Sequence, residues 1–301
     1  MKVLLAGASG AIGGALSRSL VLHGHVVRTL VRRPANGSTE VSWRPDRGEL
    51  DQAALSGIDA VVCLSGAGVA EKRWTDEYKQ VMRSSRIDSV STLARAIAQA
   101  STPPKVFLSA SAVGYYGDAG AAAIDESAPA GDGFLARLCL DWESAATPAV
   151  AAGVRVAHLR TGLVLDRDSG LLAKLAPLYK LGLGGKIGSG EQYWSWITLA
   201  DEIAAIEHLL TADVRGGVNL TAPAPVTNAD FSATLGRVLH RPAVLPVPGF
   251  AMRAALGEFA SDVLTGQRAI PVKLKALEFT FKHATLTEAL QATLVSPQSR
   301  V

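Results

Sequence analysis

Apolar residues fall in short, nearly unbroken runs at residues 3–6, 26–31, 59–64, 106–108 and 154–159, with helix-length segments between most of them. Continuous apolar strands alternating with helices belong to a parallel sheet covered on both faces and built from right-handed crossovers. Directly after the first run a helical repeat begins, with Ile12, Leu16 and Leu20 on one face. The pattern predicts a doubly wound α/β fold of Rossmann type, with a short extra strand at residues 41–43. Beyond residue 159 the rhythm changes. A helix is expected over 171–179, kinked or ended near Pro177. The glycine-rich stretch 182–190 reads as a mobile loop, and Trp194 and Trp196 as a lid or substrate wall. A helix is expected over 201–210 and a strand over 217–220. Three prolines between Arg241 and Pro248 break regular structure. They place a boundary between a Rossmann-type domain, residues 1–240, and a small, mainly helical C-terminal substrate lobe, residues 241–301, with helices over 250–264 and 286–294.

Composition narrows the class. The 301 residues are 48% hydrophobic and 19% charged, which excludes a disordered chain or a charged coiled coil. The net charge is +3, and no basic run is longer than Arg32-Arg33, so no nucleic-acid partner is expected. Two cysteines, Cys63 and Cys139, supply neither a disulfide framework nor a zinc site, and both sit in apolar stretches; the expected setting is reducing and cytoplasmic. The most apolar window, residues 53–70, is interrupted by Asp59, so no membrane span is expected. Residues 1–8 mimic a signal peptide, but the apolar run ends at Gly7 and reads as a first strand.

Chemistry enters at the end of that strand. Gly7, Ser9, Gly10, Ala11, Ile12 and Gly13 form a Gly-x-x-Gly-x-x-Gly loop between a strand and a helix. Glycine at 7 permits the tight turn, at 10 lets backbone N–H groups reach a pyrophosphate, and at 13 lets helix and strand pack closely. At the end of the second strand an NAD site carries a carboxylate, whereas this chain has Arg32 and Arg33, with no acid before Glu40. Two guanidiniums favour the 2′-phosphate, so the expected non-covalent cofactor is NADP (NADPH). Ser65, Gly66 and Ala67 come after the fourth strand, at the carboxyl edge where open α/β sheets bind ligands. Arg86 lies in a long helix, as a phosphate or substrate ligand or as a partner of Asp88.

With the run Ser109-Ala-Ser111-Ala-Val-Gly-Tyr115-Tyr116-Gly117 after the fifth strand, the chain resembles the short-chain dehydrogenase/reductase superfamily. More narrowly it is similar to the atypical extended branch, the NAD-dependent epimerase/dehydratase or epimerase family proteins. Arg73-Trp74-Thr75, Ser85-Arg86, Trp142-Glu143, residues 159–165, Gly184-Gly185, Ser195-Trp196-Ile197, Asp201, Asn219, Ala222-Pro223 and Gly266-Gln267-Arg268 extend that likeness nearly end to end, into a C-terminal domain of unknown function. The resemblance implies a nicotinamide cofactor, contacted also by Ser109 and Arg160. It implies a catalytic Ser at Ser111, but sets Leu135 where the superfamily has its acid/base Tyr and Cys139 where it has Lys. Tyr116, or its neighbour Tyr115, is the substitute phenol, and Glu143 a second candidate base. His158 reads as a strand-face histidine.

These expectations lead to two functions: an NADP-dependent oxidoreductase or epimerase-like protein acting on a small hydroxyl or carbonyl compound, and a catalytically silent NADP(H) sensor or scaffold. An ordinary nucleotide-sugar epimerase is disfavoured, because that chemistry leans on the missing Tyr and Lys. No metal is expected, and a homodimer is left open.

Overall fold

The computed structural model describes residues 1–295. Its centre is a seven-stranded sheet. β1 (Lys2–Ala6), β2 (Val26–Val31), β3 (Glu40–Ser42), β4 (Ala60–Cys63) and β5 (Val106–Ala112) run in the order β3-β2-β1-β4-β5, and the strands Arg155–Thr161 and Gly216–Leu220 complete the sheet beyond β5. The pairs β1–β2, β1–β4, β2–β3 and β4–β5 are parallel. This is the doubly wound order in which a ligand crevice opens outside the carboxyl ends of β1 and β4, where the winding reverses. Val3 to Ala6 and Ala60 to Cys63 are wholly buried, as strands covered on both faces require.

Three helices carry candidate site residues: α1 (Ala11–Leu22), α2 (Asp76–Gln99) and α3 (Phe134–Ser144). α2 starts where the Thr75 side chain accepts from the Tyr78 N–H, with Asp76 and Glu77 in the first turn against the helix dipole. Val90, Leu93, Ala94 and Ile97 on its inner face are fully buried and join Leu4, Val61, Phe107 and Trp142 in one core.

The chain divides into two compact units, and the division is interleaved. One holds residues 1–115, 137–160 and 203–218; the other holds 116–136, 161–202 and residues from 219 on. The expected linear cut near residue 240 therefore does not coincide with the compact units. In the second unit Leu172, Tyr179, Trp196, Phe231, Leu235 and Leu290 form a separate core.

The second unit differs from the sequence pattern at several points. Residues 182–190 are hydrogen-bonded to the rest of the unit, with the Ile187 N–H on the Asn228 side-chain Oδ1 at 2.7 Å and the Gly188 N–H on Val247 O at 2.9 Å. Their glycines serve close packing. Trp196 is fully buried with its indole N–H on Ala224 O at 3.0 Å and belongs to the core of this unit rather than to a lid, and the half-buried Trp194 packs edge-on against Phe231 of that core. The helix expected over 250–264 is two helices, Gly249–Leu256 and Phe259–Leu264, because Gly257 takes φ +62°. The helix Gly170–Lys180 runs through Pro177.

Candidate functional site

The loop between β1 and α1 is built as a dinucleotide cradle requires. Gly7 has φ +89°, a region closed to most side chains, and a Cβ at Gly13 would lie 2.2 Å from Gly7 O. A Cβ at Gly10, in contrast, meets only Gly7 O at 3.5 Å, so the fold itself leaves that position free and exposed. Gly10 caps α1 without a side-chain hydrogen bond, and no acid occupies the first turn, so the helix presents open N–H groups and positive partial charge beside Ser9, Ala11 and Ile12. These features fit a pyrophosphate-bearing cofactor.

At the end of β2 the two arginines part company. Arg33 forms a two-pronged pair with Glu40, both contacts 2.7 Å, and the same carboxylate accepts the Asn36 N–H. The Arg33 guanidinium holds the Glu40 carboxyl below its ordinary range, and Glu40 raises Arg33 in return. Arg32 is exposed and pairs with no carboxylate among the described residues. The sequence offers two equivalent guanidiniums, and the structure leaves one available.

The chemical cluster sits where β5 and the strand Arg155–Thr161 meet α3. Ser111, 4% exposed, donates to Glu143 Oε1 at 2.7 Å. Arg160 clasps the same carboxylate, Nε to Oε1 at 2.9 Å and Nη2 to Oε2 at 3.0 Å. The Arg160 guanidinium lies 3.4 Å from the centre of the Tyr115 ring, and Gly217 leaves the space it occupies, since a Cβ there would stand 2.4 Å from Arg160 Cζ. Cys139, one turn before Glu143, points its thiol at Ala112 O, and burial above all, then the nearby Glu143 charge, pushes that thiol to about 11. Cys63 at the end of β4 is pushed to about 11 by burial. Both thiols are neutral and free at pH 7.

Of the expected residues, the structure joins Ser111 to Arg160 through Glu143, which the sequence alone offers as a second candidate base behind the tyrosines. Ser109 is fully buried within β5. Tyr116, expected as the acid/base phenol, is 3% exposed and donates its hydroxyl to Asn219 Oδ1 at 2.7 Å in the second unit; Asn219 in turn donates to Ile270 O. The sequence signal for Glu143 is its spacing, four residues after Cys139, which sets both on one helical face.

The profile of the NAD dependent epimerase/dehydratase family matches residues 3–220, and that of a domain of unknown function, DUF1731, matches residues 247–293. Epimerase family protein ML0860 of Mycobacterium leprae is 46% identical over 297 residues, 98% of this chain and 96% of that protein. The crystal structure of human epimerase family protein SDR39U1 (isoform2) with NADPH is similar with a TM-score of 0.89 at 34% identity, covering 97% of this chain and 99% of that one. A nucleoside-diphosphate sugar epimerase from Corynebacterium glutamicum is similar at 34% identity with a TM-score of 0.80, over 98% of this chain and 58% of that one.

Proposed function

The chain belongs to the NAD dependent epimerase/dehydratase family, and from that membership we propose that it binds NADPH and acts as an oxidoreductase or epimerase-like protein on a small hydroxyl or carbonyl compound. One observation carries the cofactor choice. The second strand ends in the unpaired guanidinium of Arg32 in place of an acid, beside a glycine loop whose exposed Gly10 the fold does not need. The presence of NADPH in the human relative's structure supports the same choice.

Gly7 to Gly13 would hold the pyrophosphate, Arg32 the 2′-phosphate, and Ser65, Gly66 and Ala67 would lie along the adenosine side. The nicotinamide, when bound, supplies or accepts a hydride. Everything else falls to this chain. Because the Ser111 hydrogen is committed to Glu143, its oxygen has lone pairs open to a substrate hydroxyl. A substrate proton passes to Ser111 Oγ while the Ser111 proton passes to Glu143 Oε1, and the return path runs the same bonds backwards. Arg160 holds the carboxylate in register for both directions. Tyr116 serves as a strut of the second unit in this scheme, its hydroxyl committed to Asn219.

The second reading, an NADP(H) sensor without turnover, is favoured by one observation: α3 carries Leu135 and Cys139 and so offers neither phenol nor ammonium, and the Cys139 thiol is neutral. Calorimetric titration with NADPH and NADH, and then NADPH consumption across a panel of small carbonyl compounds, separates the readings. Binding with consumption supports the oxidoreductase, binding without consumption supports the sensor, and no NADPH binding overturns both.

A further inference from the structure

Arg86 stands on the inner face of α2, in register with Met82, Val90 and Leu93, all wholly buried, at a position where a helix of this kind carries an apolar residue. It is itself 8% exposed. Its guanidinium lies against Gly66, where an added Cβ would be 3.1 Å from Cζ, and 4.9 Å from the centre of the Trp142 ring. Among the described residues its one hydrogen bond to the protein runs from Nη1 to Met82 O at 3.0 Å, and its other nitrogens are not among the sealed, unpaired atoms of the interior. No carboxylate touches it among the described residues. Glu143 is clasped by Arg160, Glu71 acts only from a distance and is exposed, and Asp88 is balanced by Arg95 rather than by Arg86. Burial lowers the Arg86 pKa from its ordinary value, the opposite of what a carboxylate partner does.

A buried charge is held in a fold when something compensates it, and an arginine that serves packing alone is replaced at little loss by an apolar side chain. Here the protein supplies an aromatic face, one carbonyl and a glycine that makes room, but no anion. Gly66, against which the guanidinium lies, belongs to the Ser65-Gly66-Ala67 segment assigned to the proposed cofactor side of the sheet, and Trp142, over which it lies, precedes Glu143 on α3. The Ser111, Glu143 and Arg160 cluster next along α3 is charge-balanced, so the uncompensated positive charge of this region is that of Arg86.

We propose that Arg86 is an anion-binding residue of the site, taking a phosphate or carboxylate oxygen of the bound ligand in a two-pronged, charge-assisted contact beside Gly66. The anion comes from the dinucleotide or from an acidic group on the substrate. The proposal rests on the NADPH reading for the first source and not for the second.

The experiment compares the full chain with Arg86→Met and Arg86→Lys. Thermal melting is measured without ligand, and affinity by calorimetry for NADPH and, on the NADP-saturated protein, for malonate as a plain dicarboxylate. A charge kept for a ligand gives an Arg86→Met melting temperature no lower than the parent's, with at least a tenfold loss of affinity, a contact of ordinary charge-assisted strength. Loss for NADPH assigns the anion to the dinucleotide; loss for malonate alone assigns it to the substrate. Should Arg86→Met melt lower or fail to fold, rescue of affinity by Arg86→Lys supports the proposal, and absence of rescue overturns it. Unchanged affinities for both probes overturn it outright while leaving the NADPH reading intact. If the parent binds no NADPH, that reading falls, and malonate titrations of the ligand-free chains decide the role of Arg86 by the same criterion.

Discussion

Glu143 receives the hydroxyl of Ser111 at 2.7 Å on the same carboxylate oxygen that accepts Arg160 Nε, so a hydroxyl and a guanidinium meet at one atom. The side chains of Arg160 and Glu143 are 6% and 12% exposed, and each is costly to leave alone. Arg160→Met is expected to destabilise the fold by roughly 3–5 kcal/mol, because it strands a buried carboxylate. Arg160→Met with Glu143→Leu is expected to lose less than the two single changes added together. Denaturant unfolding of the four proteins checks this, and simple additivity would contradict a shared ion pair.

If the protein turns over a carbonyl compound, Ser111→Ala and Glu143→Gln should each lower kcat/KM by about 10²–10⁴, with NADPH affinity within about threefold of the parent. Tyr116→Phe should leave kcat/KM within about threefold and lower the melting temperature instead, since it strands the buried Asn219 carbonyl oxygen. A large kinetic loss in Tyr116→Phe would restore that phenol as the acid/base group.

Arg32 and Arg33 make separable predictions. Arg32→Ala should cut the preference for NADPH over NADH by about tenfold or more, the worth of one charge-assisted phosphate contact. Arg33→Ala should change it by less than about threefold, because Glu40 already engages that guanidinium. Titration of both variants with both dinucleotides decides it, and equal effects would mean that Glu40 releases Arg33 when ligand binds.

The strands of the sheet and the glycine loop after the first of them are legible in the sequence because each rests on a local pattern, whereas the strand order is read from the fold. Apolar runs make strands, and Gly13 is fixed by its contact with Gly7 in the same loop, while Gly7 is required both by its positive φ and by Leu64 and Ser65 after β4. The pairing of Arg33 with Glu40 is not legible, because two adjacent arginines look alike until the strand that carries Glu40 is laid beside β2. Glu143 is visible as a spacing but carries little weight alone, since its worth depends on Ser111 and Arg160, 32 and 17 residues away. Arg86 is readable in principle: its register with Met82 and Leu93 places a charge on the buried stripe of α2, and only the absence of a carboxylate there needs the fold. At residues 182–190 a high glycine content reads as a mobile loop, whereas in the fold these glycines take positive φ at Gly182, Gly188 and Gly190 and make room for the Tyr179 ring at Gly184 and for Leu245 O at Gly185.

Gly10→Val and Gly13→Ala should fail in different ways. Gly10 has φ −80° and ψ 166°, which valine adopts, and nothing but Gly7 O stands near its Cβ direction, so Gly10→Val is expected to keep the parent's melting temperature. It should lose the stabilisation that NADPH gives, because its side chain fills the space where backbone meets pyrophosphate. Gly13→Ala places a methyl group 2.2 Å from Gly7 O and should lower the melting temperature with or without ligand. Thermal shift with and without NADPH reads both, and undiminished ligand stabilisation in Gly10→Val would make the loop a purely structural turn.

Glu202 ties the stability of the fold to pH. It lies in the second unit, 1% exposed, with Oε1 accepting from Thr161 Oγ1 at 2.8 Å and Oε2 sealed without a partner. Burial pushes its carboxyl up to about 8, against which the Thr161 bond acts only weakly. The folded chain therefore keeps this proton through the neutral range, while the unfolded chain releases it near the ordinary value of 4.5. Between those two values unfolding releases a proton, so the contribution of this group is fully present below about 4.5 and is lost as pH rises toward about 8. The full slope is about 1.4 kcal/mol per pH unit, which makes the loss a few kcal/mol across the window. Glu202→Gln retains an acceptor for Thr161 and cannot ionise. Its melting temperature relative to the parent should therefore climb by several degrees between pH 5 and pH 8, measured in buffers of matched ionic strength. A difference that stays constant over that range would mean that Glu202 is already ionised in the fold, with its charge met by a group other than Thr161.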